Sequence, residues 1–258
     1  MDLHTCILTN NDCYKRGLKI KPKGVMVHST GANNEMLRRY VQPDDGLLGD
    51  NPNNNDWNRP GLDVCVHAFI GCLDDMSIAT YQTLPWDHRG WHAGGDANNT
   101  HISFEICEDG LWDVGYFQSA YREAVELTAY LCGMYDLDPL EDGVVICHSE
   151  GYDRGIASGH ADVLHWFPRF GKNMDDFRRD VKAEMEGEDM TQEKFNEMLA
   201  AALNTDGTGD ECSDWAKEAT EYCKAQGIFK GDGKGNYGWK RPITREQAAQ
   251  IIYNMAKE

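Results

Sequence analysis

ISFEIC, residues 102–107, is the stretch on which the fold turns. It is short and apolar, as a strand covered on both faces must be, yet it carries Glu105 between Phe104 and Ile106. Three other stretches read the same way: GVMVHS at 24–29, VCVHAFIG at 64–71 and VVICH at 144–148. Between ISFEIC and VVICH, Phe117, Ala120, Tyr121, Ala124, Leu127, Leu131 and Met134 recur at three- and four-residue spacing, which predicts an amphipathic helix over 117–135. Strands interleaved with helices predict an α/β fold, a mixed central sheet flanked by helices.

Outside this block the pattern changes. Residues 42–63 are rich in Pro, Gly, Asn and Asp and read as a long surface loop. From residue 182 the composition shifts to Glu, Met and Ala, ending in NTDGTGD at 204–210, which suggests a connecting helix and a flexible joint. Beyond Cys212 a second pattern begins, with helices expected over 214–226 and 244–256 around a Gly/Asp-rich loop. The expected domains are therefore 1–185, a helical linker over 186–211, and a small helical module over 212–258. A module that size buries little core alone and should lean on a neighbour or a second copy.

The 258 residues hold 25 Lys and Arg against 43 Asp and Glu, a net charge of −18. Such a surface repels phosphate backbones and anionic headgroups, so neither nucleic acid nor membrane is an expected partner. No apolar run approaches the length of a membrane span. The start, MDLHTCILTNNDCYKRG, has no basic segment, apolar run and cleavage site of a secretory signal, so synthesis in a cytoplasm is expected. The nine cysteines are odd in number, and Cys65, Cys107, Cys132 and Cys147 lie in apolar runs, where a thiol serves as a small hydrophobe.

The informative residues are those that break the apolar rule. His28 closes VMVH, Glu105 interrupts ISFEIC, and His148 closes VVICH, followed by His160 and Asp162 in GHADVLHWFP. A carboxylate inside a buried strand needs a partner or a task. Two neutral imidazoles and one carboxylate are a common catalytic zinc set with an open fourth position. A nearby Glu can take a proton from water, and a donor such as His160 can steady an oxyanion. Read singly, a His at a strand end is more often a hydrogen-bonded structural residue than a ligand, and His67, His88, His92, His101 and His165 offer other ligand combinations.

Taken in order, GVMVHSTGA, VCVHAFIG, RGWHAGG, THISFEICEDG and CHSEG followed by HADVLHWFP resemble the zinc N-acetylmuramoyl-L-alanine amidases of the type-2 amidase superfamily, which includes the peptidoglycan recognition proteins. The likeness covers residues from about 20 to 180 and runs to prophage endolysins of Gram-positive bacteria. It implies one zinc ion, with His28 and His148 as ligands. Asp162, with Phe167 five residues on, matches the frame of the family's D-P-G-x-x-F stretch, although Val163 and Leu164 replace its Pro and Gly. His160 stands where the family often has an oxyanion-stabilising Lys, and it competes with Asp162 as third ligand. Glu105 falls on the catalytic Glu. His67 and His92 lie in family motifs near the cleft, implying a substrate-side role or one behind the ligands.

The tail, with SDWAKEATEYCKAQGIFKGDGKGNYG at 213–238 and PITREQAA at 242–249, resembles a single S-layer homology module. That likeness implies binding to an anionic secondary cell-wall polymer, with Arg245 as the residue to meet it. Formation of a homo-oligomer through the tail is the other reading. The whole resemblance implies an endolysin whose substrate is peptidoglycan, made in the cytoplasm and acting at the wall after release. Its rivals are a non-catalytic peptidoglycan-binding protein and an amidase recycling muropeptides.

Overall fold

Alternation along the strands divides the sheet of the first unit into two faces with different surroundings. The computed structural model describes residues 1–187, 212–231, 235–239 and 243–256. The chain divides into two units, Met1–Glu188 and Asp189–Glu258. In the first, β1 (Leu3–Thr5), β2 (Gly24–Asn33), β3 (Ala68–Cys72), β4 (Ile78–Gln82), β5 (His101–Glu108) and β6 (Val145–Cys147) form one sheet in the order β1-β4-β3-β5-β2-β6. All neighbours are parallel except β3 and β4. The helices are α1 (Asp12–Arg16), α2 (Val114–Tyr135), α3 (His148–Asp153) and α4 (Met174–Glu186). The sheet is mixed and flanked by helices.

Val25, Val27, Ala68, Ile70, Ile102, Phe104 and Ile106 pack into one core with the inner faces of α2 and α4. Phe117 of α2 stacks on Phe170 at 4.3 Å, and Phe167 lies between Tyr121 and Phe177. Each such fully buried side chain contributes about 1.5–3 kcal/mol relative to leaving it in water. Successive strand residues point to opposite faces. The intervening positions, His28, Glu105 and Phe69, therefore face away from this core. Under Phe69 a second cluster forms with Leu37, Tyr40, Val41 and Leu48. The 42–63 segment closes over it, with Trp57 edge-on to Phe69 at 5.0 Å and Arg39 donating to the Asn55 carbonyl at 2.7 Å.

Several local expectations shift. β2 runs five residues past His28, because β5 goes on pairing with it as far as Asn33 opposite Glu108, across a register shift. His28 is thus inside a strand. Residues 64–67 are not strand: Cys65 makes an isolated bridge to Trp91, and the His67 N–H donates to the Ser103 carbonyl. His148 opens helix α3 instead of closing a strand, because Glu150 reaches back to accept from the Cys147 N–H at 3.1 Å. Cys65, Cys107, Cys132 and Cys147 are buried.

The expected linker over 186–211 lies, beyond residue 187, outside the described residues. In the second unit a 3-10 turn at Asp214–Ala216 leads into a helix at Lys217–Ala225, and a second helix spans Arg245–Met255. Thr244 caps the latter, its hydroxyl accepting from the Gln247 N–H while Gln247 Oε1 accepts from the Thr244 N–H. Among the described residues of this unit only Ile228 is buried, and Trp215 and Ile252 are exposed. No helix among the described residues is long and apolar enough to cross a membrane.

Candidate active site

Three chain segments converge on the outward face of β2. His28 comes from the strand itself, His148 from the first turn of α3, and Asp162 from the segment that follows it. Among the described residues these three form the one group whose ligand atoms all lie within 4.8 Å of one another. His28 Nδ1 is 3.0 Å from Asp162 Oδ2 and 3.1 Å from His148 Nδ1, and His148 Nδ1 is 3.6 Å from the same carboxylate oxygen. Ligands bound tetrahedrally at about 2.0–2.1 Å stand about 3.3 Å from one another. The three separations bracket that value.

The outer nitrogens point to the same reading. Ser158 Oγ donates to the Ala93 carbonyl at 3.1 Å and lies 3.3 Å from His148 Nε2, so it accepts from that nitrogen. His28 Nε2 is 2.9 Å from His92 Nδ1. With Nε2 of both rings donating outward, the lone pairs of both Nδ1 atoms face Asp162. Ligand histidines are commonly oriented in this way by the bond their other nitrogen makes. Burial lowers the pKa of His28, keeping it neutral against the pull of Asp162. Burial would raise the Asp162 carboxyl, but its close contacts with the His148 and His28 rings hold it well below the usual carboxylate range. Two imidazoles and one ionised carboxylate, at these separations, fit zinc.

Glu105 is the strand partner of His28, one register position across from β2. Its Oε2 is inaccessible and has no hydrogen-bond partner. Burial, then the negative charges of Asp162 and Glu108, push its carboxyl well above the ordinary value. A dication held by His28, His148 and Asp162 would act in the opposite sense. His160 is exposed at the rim, its ring 4.5 Å from that of His148.

The two histidines of the flanking motifs separate. His67 is fully buried; its Nε2 donates to the His88 carbonyl at 2.8 Å and its Nδ1 accepts from the Ser103 N–H at 3.0 Å. Both of its nitrogens are therefore committed to backbone groups within the fold. Burial lowers its pKa to about 4. His92 instead touches His28 directly, and its Nε2 is left without a partner. Three supporting residues carried no motif: Ser158, Asn98, whose Oδ1 accepts from the His92 and Ala93 N–H groups, and Arg178, which grips Glu150. Only the burial of their partners would have flagged them.

The family model of the N-acetylmuramoyl-L-alanine amidases matches residues 18–165, more than half of the chain. The chain belongs to the N-acetylmuramoyl-L-alanine amidase family. A second model, the S-layer homology domain, matches residues 209–249. The amidase part is similar to the N-acetylmuramoyl-L-alanine amidase CwlH of Bacillus subtilis (strain 168), 31% identical over 106 aligned positions, with 38% of this chain and 34% of that protein covered. The chain thus spans about a third of the curated relative it matches. Among solved structures, the Staphylococcus aureus hydrolase AmiA aligns with a TM-score of 0.50 and 20% identity, covering 75% of this chain and 85% of that one. A mutant form of PlyL aligns with a TM-score of 0.50 and 21% identity, covering 71% of this chain and 99% of that one. At these identities the two structures share the amidase fold with this chain.

Proposed function

We propose that the protein is a zinc-dependent amidase that hydrolyses the bond between the lactyl carbonyl of N-acetylmuramic acid and the L-alanine of the stem peptide. The observation that carries this reading is the convergence of His28, His148 and Asp162 beside Glu105, whose Oε2 is inaccessible and unpartnered. Zinc held by the three ligands would polarise the carbonyl and acidify water. Glu105, with its raised proton affinity, accepts a proton from the attacking water and delivers it to the leaving amine. His160, at the rim beside His148, donates to the developing oxyanion. Ser158 and His92 fix the two ligand rings.

The substrate is peptidoglycan, and the S-layer homology module supports retention on a secondary wall polymer, with exposed Arg245 at its helix start. The wider reading is a phage or prophage endolysin of a Gram-positive host, made in the cytoplasm and acting on the wall after release. A wall-directed module favours this over muropeptide recycling, and the intact donor set favours catalysis over mere recognition.

Glu105→Gln should release no stem peptide from purified sacculi yet still carry one zinc by metal analysis. His148→Ala should lose both. An active Glu105→Gln protein, or a fully loaded His148→Ala protein, would overturn the assignments. Hydrolysis of soluble muropeptides with intact sacculi untouched would restore the recycling alternative.

A further inference from the structure

We infer that Trp112, backed by Arg169, is a stacking platform for a sugar ring of the glycan strand, outside the residues that hold the scissile bond. The inference rests on the amidase reading above and extends it to the polymer around the cut. Trp112 is 80% exposed, more than any other aromatic residue described in the first unit. An indole in that position contributes almost nothing to packing. It stands immediately before Asp113, the N-cap of α2, where an apolar residue often packs on the fourth helical position. Phe117, at that position, is instead engaged with Phe170 and Trp166, so the ring of Trp112 is not a helix staple.

Its backbone, however, is held firmly. Asp109 spends one carboxylate oxygen on the Leu111 N–H and the other on the Asp113 N–H, both at 3.0 Å. Gly110, at φ +93°, lies so close to Asn33 that an added Cβ would stand 2.5 Å from its Oδ1. The guanidinium of Arg169 lies over the indole at 5.1 Å, and its Nε donates to the His165 carbonyl at 3.1 Å. His165 Nε2 bonds buried Glu108 at 2.8 Å. These contacts tie the ring to the end of β5, which carries Glu105, and to the segment that carries Asp162. A rigid, exposed aromatic ring with a cation on one side and the other open suits the apolar face of a pyranose, whose hydroxyl and acetamido groups can meet the guanidinium. Because nearby Asp109 and Asp113 are occupied by backbone N–H groups, no free carboxylate need be desolvated when a sugar docks.

The test uses the full chain and glycan strands stripped of stem peptides, with binding measured by calorimetry, so that the readout does not depend on hydrolysis. Trp112→Ala should bind the strands about tenfold more weakly, the scale of a lost aromatic stack, and Trp112→Phe should bind nearly as the parent does. On peptide-bearing strands of several disaccharides, Trp112→Ala should raise KM with kcat unchanged, and on a single muramoyl-peptide unit it should change neither. Its melting temperature should match the parent's. Unchanged binding by Trp112→Ala, no binding by the parent, or equal losses on the long and the minimal substrate would each overturn the inference. If the parent binds stripped strands through Trp112 but frees no stem peptide from sacculi, the amidase reading fails while the platform stands.

Discussion

His67 shows what a buried imidazole does when it is not a ligand. Its Nε2–H and its Nδ1 lone pair are both used, so it must stay neutral to fit. The unfolded chain protonates it near pH 6.5, whereas in the fold burial holds its pKa at about 4. Between those values the unfolded state binds more protons, so stability rises with pH. The full contribution is present above about pH 6.5 and is lost as pH falls towards 4; for this residue the loss is on the order of 3 kcal/mol. His67→Gln should lower stability at pH 7 but flatten the denaturation midpoint between pH 6.5 and 4 relative to the parent. A variant whose midpoint kept the parent's slope would show that His67 does not titrate there. Sequence motif alone gave His67 and His92 the same rank. What separates them, two spent nitrogens against one free, is a matter of tertiary contact and leaves no trace in spacing.

At the scale of elements, legibility followed burial. ISFEIC and VVICH were readable because both faces of their strands are covered, whereas VCVH at 64–67 is equally apolar but is drawn into bridges and loop contacts. β1 is three residues long and β4, IATYQ, is partly polar, so neither stood out. α4 is hard to read from sequence because its buried residues Met174, Phe177 and Val181 are embedded in charge. That charge turns out to matter for the site. Arg178 of α4 donates to the Val145 carbonyl at 2.8 Å and to both oxygens of Glu150, and Glu150 in turn holds the N–H of Cys147, one residue before His148. The pair is mostly shielded, with side-chain exposures of 18% and 24%. Removing one partner of such a pair strands the other, at a cost of about 2–3 kcal/mol once partial solvation is allowed for. Arg178→Ala should therefore lower stability by about that amount and weaken zinc retention in a chelator competition, although Arg178 touches no ligand. Full zinc affinity in a destabilised Arg178→Ala protein would show that α3 holds His148 without this brace.

For the whole molecule the decisive quantity is where the charge lies. Residues 212–258 hold eight Lys and Arg against six Asp and Glu, a net +2, whereas residues 1–211 hold 17 against 37, a net −20. Under the proposed function, an acidic catalytic part must work on a wall that bears anionic polymer, with only a weakly basic tail to offset the repulsion. The net negative charge of the first part is ten times the net positive charge of the tail, which favours repulsion as the larger long-range effect. Its reach is set by the Debye length, roughly 30 Å at 0.01 M salt and about 8 Å at 0.15 M. Adding salt over that range should therefore speed stem-peptide release from sacculi bearing anionic polymer, by about two- to fivefold as encounter is freed from repulsion. Sacculi stripped of that polymer should show little dependence. Arg245 acts only at short range, so Arg245→Ala should reduce retention on the polymer-bearing walls at every salt concentration and leave hydrolysis of a soluble muramoyl-peptide as it was. A rate that falls steadily with salt on polymer-bearing walls would mean that attraction through the tail outweighs the acidic surface, and the balance argued from these charges would be wrong.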